Sequence, residues 1–147
     1  MDENAHIPPE YHRLLHDQQE RVKELSCINH TTHILKEGKP IEETLQQIVL
    51  LLPDAWQYPE YTEARIRFAG KSFVTPEFRE TSWKMFQEFD TIDNEKGTIE
   101  LYYTREFNIE NEGPFLKEER DLIRNIASLI TGYINSYKAR DIILMSK

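Results

Sequence analysis

The chain has 147 residues, 39% of them hydrophobic and 30% charged, with a net charge of −8. That length makes one domain with a real core, or a domain plus a helical extension. The acidic balance excludes a phosphate-backbone binder, which needs a basic surface for counterion release, and sixteen aromatics among dense apolar runs exclude disorder.

Residues 1–9 end in Pro8-Pro9 and read as a lead-in without the features of a signal peptide. From Glu10 to Lys36 there is neither Gly nor Pro, and Leu15, Val22, Leu25, Ile28, Thr32 and Leu35 recur at near-heptad steps. This spacing predicts a long helix with a narrow apolar seam, closer to a coiled coil than to a fully buried helix. Cys27, the single cysteine, falls near the apolar side of that helix and reads as a buried structural thiol. His12, His16 and Glu20 form one row at i, i+4, i+8, and His30, His33 and Glu37 form another. Two histidines at i, i+4 can share a metal, but the further ligands are missing, so both rows read as solvated helix surface and no metal is expected.

Gly38 and Pro40 punctuate the chain, and a second helix is predicted from Ile41 to Leu52 with Leu45, Ile48, Val49 and Leu52 inward and Pro53 as its stop. The run Ile48–Leu52 is the longest apolar stretch and is far too short to span a bilayer, so the segment is expected to be soluble and cytoplasmic. An aromatic loop follows, with Trp56, Tyr58 and Tyr61. Ala64, Ile66 and Phe68 then alternate with Arg65 and Arg67, predicting a strand with one apolar and one cationic face. Ala69-Gly70-Lys71 reads as a hairpin turn into Ser72–Thr75, and Glu77–Ser82 as a loop. A third strand is expected over Trp83–Ile92, a turn at Asp93–Gly97, and a fourth strand over Thr98–Glu106 with Ile99, Leu101 and Tyr103 on one side.

The last element is a helix of about thirty residues launched by Gly113-Pro114. Apolar residues at Leu122, Ile126, Leu129 and Tyr133, and at Ile123, Ile130, Ile134 and Tyr137, give it a wide stripe. Glu118, Glu119 and Asp121 crowd its first turns and Lys138, Arg140 and Lys147 lie towards its other end, so the charges follow the helix dipole. Two helices, a meander of four antiparallel strands and a closing helix make an α+β arrangement with the helices on one face of the sheet.

The segments Glu24–Ile28, Leu52–Glu60, Ala64–Ile66, Phe78–Trp83 and Glu112–Arg120, with the closing pattern Phe115-x-x-Glu118-Glu119-x-x-Leu122-Ile123-x-x-Ile126-Ala127-x-x-Ile130, carry a family resemblance. Together they resemble a GAF-like sensor domain, the input module at the front of bacterial histidine kinases and of some phosphoenolpyruvate synthase or pyruvate phosphate dikinase-like proteins. The resemblance covers about residues 20 to 140, and the stretch Asn29–His33 is more polar than it leads one to expect. It implies an α+β fold of GAF/PAS type with long N- and C-terminal helices. Residues 1–19 would lead in, 20–137 form the sensor and 138–147 extend towards an output domain. It also implies a signal-transduction role in a two-component system without catalysis.

No Gly-rich phosphate loop and no histidine-kinase dimerisation motif is present, so no catalytic residue and no cofactor is expected, and any kinase or phosphotransferase activity would lie in a separate domain. Trp56, Tyr58, Arg65, Arg67, Arg79 and Trp83 are the candidate ligand-binding residues, because aromatic walls with guanidinium groups suit a small anionic or heteroaromatic ligand. The same residues admit a second reading, in which Trp56 and Trp83 plug the edge of a sheet core and Arg65 and Arg67 pair with Glu100 across strands. Leu15, Val22, Leu25, Ile130, Tyr133, Tyr137 and Leu144 are candidates for a parallel homodimer contact, or for packing of the terminal helices on each other within one chain. The expected partners are a second copy, an output domain and a small molecule, with no nucleic acid and no membrane in this segment. The rival functions are a ligand-free dimerisation or protein-interaction module and, as the resemblance implies, a regulatory domain of a phosphoenolpyruvate synthase-like enzyme.

Overall fold

The structure, a computed structural model, describes residues 8–145, with side chains as far as Ile143. Helix α1 runs Pro9–Lys36, with proline in its first turn, where a missing N–H costs nothing. It ends as Gly38 turns left-handed at φ 66°, with the Gly38 amide donating to the carbonyl of Leu35. Helix α2, Ile41–Leu51, buries Leu45, Ile48 and Val49 completely. Pro53 sits in a 3-10 turn, Leu52–Ala55, and a second such turn, Pro59–Tyr61, leads into the sheet.

Strand β1, Thr62–Phe68, buries every second residue from Thr62 to Phe68 and turns Glu63, Arg65 and Arg67 the other way. Ala69 and Gly70, at φ 51° and 80°, make a two-residue turn into β2, Lys71–Val74; positive φ at both positions matches the twist of a hairpin. Residues 75–83 then carry the chain to β3, Lys84–Asp90, and a loop over 91–95 joins it to β4, Lys96–Tyr103. The order across the sheet is β2-β1-β4-β3, all antiparallel. The expected meander is therefore replaced by two hairpins with β1 and β4 side by side at the centre. The link 75–83 is long enough to travel from one edge of the sheet to the other, which a tight hairpin could not do.

The β3–β4 turn also sits earlier than expected, at 91–95, where Asn94 takes the left-handed φ of 66° and the Thr91 amide donates to the Glu95 carbonyl at 2.9 Å. Gly97 is not a turn residue. It lies in the ladder opposite Phe89, whose ring occupies the space that a Cβ at Gly97 would need.

Helix α3, Lys117–Met145, packs against β3 and β4, while α2 covers β1 and β2. All three helices lie on one side of the sheet, with α1 resting on α2, α3 and the first 3-10 turn. The core between the layers holds Trp56, Ile66, Ile99, Leu101, Tyr103, Phe115, Leu122, Ile123 and Ile130. Cys27 is buried there too, and burial pushes its thiol up to about 12, which makes it inert.

The two long helices run parallel. Glu20 and Glu24 of α1 stand near the first turns of α3, where they feel Glu119, Glu118 and Asp121, and a Cβ at Gly38, just beyond α1, would lie 3.8 Å from the Arg140 guanidinium. In α1, Pro9–Gln19 is exposed apart from His16, which meets Gln57 of the body at 3.3 Å, so the turns before His16 project past the body at one pole; at the other, Ala139–Ile143 of α3 are exposed. Among the described residues no helix is long and apolar enough to cross a membrane, and no group of three or more His, Cys, Asp or Glu is placed to hold a metal ion.

Candidate functional site

With the helices on one side, the opposite face of the sheet is left open, and strand parity decides what it carries. The register places Val74, Arg65, Glu100 and Phe86 in one row across all four strands, and Ser72, Arg67, Thr98 and Glu88 in the next. The crossover 75–83 borders this face. Phe78 packs edge-on to Tyr102, and the Arg65 guanidinium lies 4.8 Å from the centre of the Phe78 ring. Face and crossover together form a groove of about 480 Å³ whose lining includes Arg65, Arg67, Glu80, Phe86, Thr98 and Tyr102.

Glu100 is the electrostatic centre. It is buried, yet its carboxylate accepts from Arg65 Nη2 at 2.7 Å and Nε at 3.2 Å, from Thr98 Oγ1 at 2.9 Å and from the Tyr102 hydroxyl at 2.6 Å, and it forms an ion pair with Arg67, whose Nε lies 3.1 Å away. Four hydrogen bonds and the Arg67 charge satisfy both oxygens, as a buried carboxylate requires. Burial alone would lower the pKa of Arg65, but the Tyr102 hydrogen bond and the charges of Glu100 and Glu80 outweigh it and hold Arg65 above the ordinary value. Burial and the adjoining Glu100 push the Tyr102 phenol up, so it stays a neutral donor.

Glu80, on the crossover, is different. It takes Arg65 Nη2 at 2.7 Å and Arg67 Nη2 at 3.5 Å, but its side chain is 61% exposed against 11% for Arg65. Phe86 is 48% exposed on the groove floor, an aromatic surface left facing water.

The six expected ligand residues do not converge. Arg65 and Arg67 lie on the open face, paired with Glu100 as one of the two sequence readings had it. Trp56 is fully buried in the core on the helix side. Tyr58 is stacked 3.7 Å from Phe107 and edge-on to Tyr103, also on the helix side. Trp83 packs against the core, and Arg79 donates to the Thr104 carbonyl at 2.8 Å. The aromatic loop precedes β1 on the helix side, and an odd–even step separates Trp83 from Lys84; these two facts split the set. The residues that join the arginines instead are Glu80, Thr98, Glu100, Tyr102 and Phe86. The alternation of β4 already marked Glu100 and Tyr102 as partners on one face, whereas nothing local marked Glu80.

Of the expected dimer residues, Leu15, Val22 and Leu25 are exposed along α1, with Tyr11 and Leu14 beside them. Ile130 is fully buried within the chain and is not available to a second copy. Tyr133 is half-buried and its hydroxyl donates to the Lys39 carbonyl and accepts from Thr44; Tyr137 packs on Tyr133 and under Arg140. The side chain of Leu144 lies outside the described residues.

Strand β3, which carries Phe86, is tied to α3. Arg120 donates to the Phe86 carbonyl at 2.9 Å and to Gln87 Oε1 at 3.2 Å while Glu112 holds its guanidinium at 2.5 and 2.9 Å. Further along α3, Asn135 accepts from the Ile92 amide at 2.9 Å and Lys138 pairs with Asp93 at 2.8 Å and with Glu95. At the start of α3, buried Glu119 reaches back to the Leu116 amide and out to the Gln57 amide, both at 2.7 Å, and to the Tyr103 hydroxyl at 3.3 Å. Desolvation raises its pKa to about 7, opposed by the Leu116 and Gln57 hydrogen bonds and assisted by the charge of Glu20. The chain matches no protein-family model and no curated protein.

Proposed function

We propose that the chain is a cytoplasmic, GAF-like sensory input domain. A small anionic or aromatic ligand settles on the open sheet face, and the changed state passes through the terminal helices to an output module such as a histidine kinase. The observation that carries this reading is the parallel run of α1 and α3 with projecting turns at opposite poles, which gives a body with an entry lever and an exit lever. Arg120, Asn135 and Lys138 supply the linkage, since each ties the strand or loop bordering the groove to α3. A ligand shifts such a device only by its differential affinity for two helix arrangements.

The exposed seam Leu15, Val22 and Leu25 supports a second copy packed along α1, because an isolated chain leaves that apolar row in water. Light scattering is expected to give twice the 17.5 kDa chain mass, and Val22→Glu to halve it. A second reading, a ligand-free dimerisation module, is favoured by one fact: Arg65 and Arg67 already have carboxylate partners.

A melting screen against small carboxylates, phosphates and heteroaromatic acids separates the two. The sensor reading expects a stabilising compound whose effect is lost in Arg67→Ala. A chain that none of them stabilises, in a dimer that still forms, supports the adaptor.

A further inference from the structure

The cations and anions lining the groove are equal in number: Arg65, Arg67, Lys84 and Lys96 against Glu80, Glu88, Asp90 and Glu100. Such a surface does not gather anions at large, so a ligand carboxylate gains a site only by taking the place of one already there. Glu100 cannot leave, since it is buried and held by four hydrogen bonds and the Arg67 ion pair. Glu80 can, because its carboxylate is mostly in water and rests on a loop without helix or strand hydrogen bonding.

We infer that Glu80 is a built-in competitor for an anion subsite formed by Arg65 and Arg67, and that the ligand is a monocarboxylate with an aromatic or alkyl body. This rests on the reading of the open face as the ligand site. The carboxylate of the ligand replaces Glu80 at 2.7 and 3.5 Å on the Nη2 groups of Arg65 and Arg67, while Arg65 Nη2 keeps its second bond to Glu100. Its body extends across β4 towards Phe86. Arg65 and Phe86 share a register row two strands apart, about 10 Å between backbones, so two long side chains leaning inward leave the span of a short aryl acid. The Tyr102 hydroxyl gives its proton to Glu100 at 2.6 Å and accepts from Arg65 Nη2 at 3.3 Å, so it steadies the guanidinium at that end. When the ligand enters, Glu80 is released and the crossover 75–83 loses its ionic tether to the sheet, while Phe78 still packs on Tyr102.

The test is calorimetric titration of the full chain with 3-phenylpropionate and with the neutral 3-phenylpropionamide. The variants are Glu80→Gln, Arg67→Ala and Glu88→Gln; the last removes the same charge from the same face without touching either arginine. The expected result is acid binding about three- to fivefold tighter in Glu80→Gln than in the unaltered chain, the size of an exposed ion pair removed from competition. Glu88→Gln should match the unaltered chain, Arg67→Ala should lose binding, and the amide should not bind. Equal affinities in Glu80→Gln and the unaltered chain, or an equal gain in Glu88→Gln, would overturn the competitor role while leaving the open-face site intact, provided Arg67→Ala still weakens binding. If the acid binds no variant better than the amide does, the open-face reading falls with it. Circular dichroism melts of each variant establish that it is folded.

Discussion

Replacing Glu100 by alanine is the sharpest structural test of the open face. It removes the acceptor for Arg65, Thr98 and Tyr102 and the ion-pair partner of Arg67 at once. Breaking a buried ion pair costs about 3–5 kcal/mol when the remaining charge has nowhere to turn. Here Arg67 is half exposed and Arg65 keeps Glu80 at 2.7 Å, so water and Glu80 recover part of the loss. That places the penalty near the low end, about 2–3 kcal/mol. For a chain of this length the melting point should fall by about 5–10 °C. Urea unfolding with an unchanged m-value reads the free energy, and a double-mutant cycle with Arg65→Met isolates the pair, with an expected coupling of about 1–2 kcal/mol. A loss below about 0.5 kcal/mol would mean that the network behaves as an ordinary surface pair, and the account of Glu100 as the fixed centre of the site would be wrong.

Two further outcomes follow from particular residues. Ala69 holds a left-handed φ of 51° in the β1–β2 turn, a conformation that asparagine adopts at less cost than alanine, so Ala69→Asn should stabilise the chain by about 1 kcal/mol in urea unfolding. Glu119 is raised from 4.5 to about 7, so between those values the folded chain holds a proton that the unfolded chain has lost. Stability from this group is therefore full below the lower value and declines as pH rises to the upper one, by up to about 3 kcal/mol. The difference between the unaltered chain and Glu119→Gln, read from urea midpoints at about pH 5 and about pH 8, should follow that slope; a pH-independent difference would contradict it.

Local pattern carried much of this fold. The unbroken run from Glu10 to Lys36 and the wide stripe after Leu122 named the long helices, and the alternation in Ala64–Phe68 and Ile99–Tyr103 named both faces of the central strands. It even paired Arg65 with Glu100. Sheet order escaped it, because the β1–β4 ladder joins residues 29 to 41 positions apart and no local signal distinguishes it from a meander. Trp56 and Trp83 misled for a related reason. A tryptophan in a loop looks the same in sequence whether it lines a groove or fills a core, and only the path of the chain around the sheet sent both to the helix side. Gly97 looked like a turn glycine, while its actual demand comes from the Phe89 ring on the neighbouring strand. Glu80 depends on where the crossover runs, which nothing between Thr75 and Trp83 encodes by periodicity.

The central claim is that occupation of the open face reaches the projecting ends of α1 and α3. Hydrogen–deuterium exchange of the Glu80→Gln chain, with and without saturating 3-phenylpropionate, tests it most directly. The account predicts altered exchange in β3 and the 91–95 loop and, together with it, in Pro9–Gln19 of α1 and in the turns of α3 beyond Lys138. Altered exchange confined to the groove, with both helix ends unmoved, would contradict it.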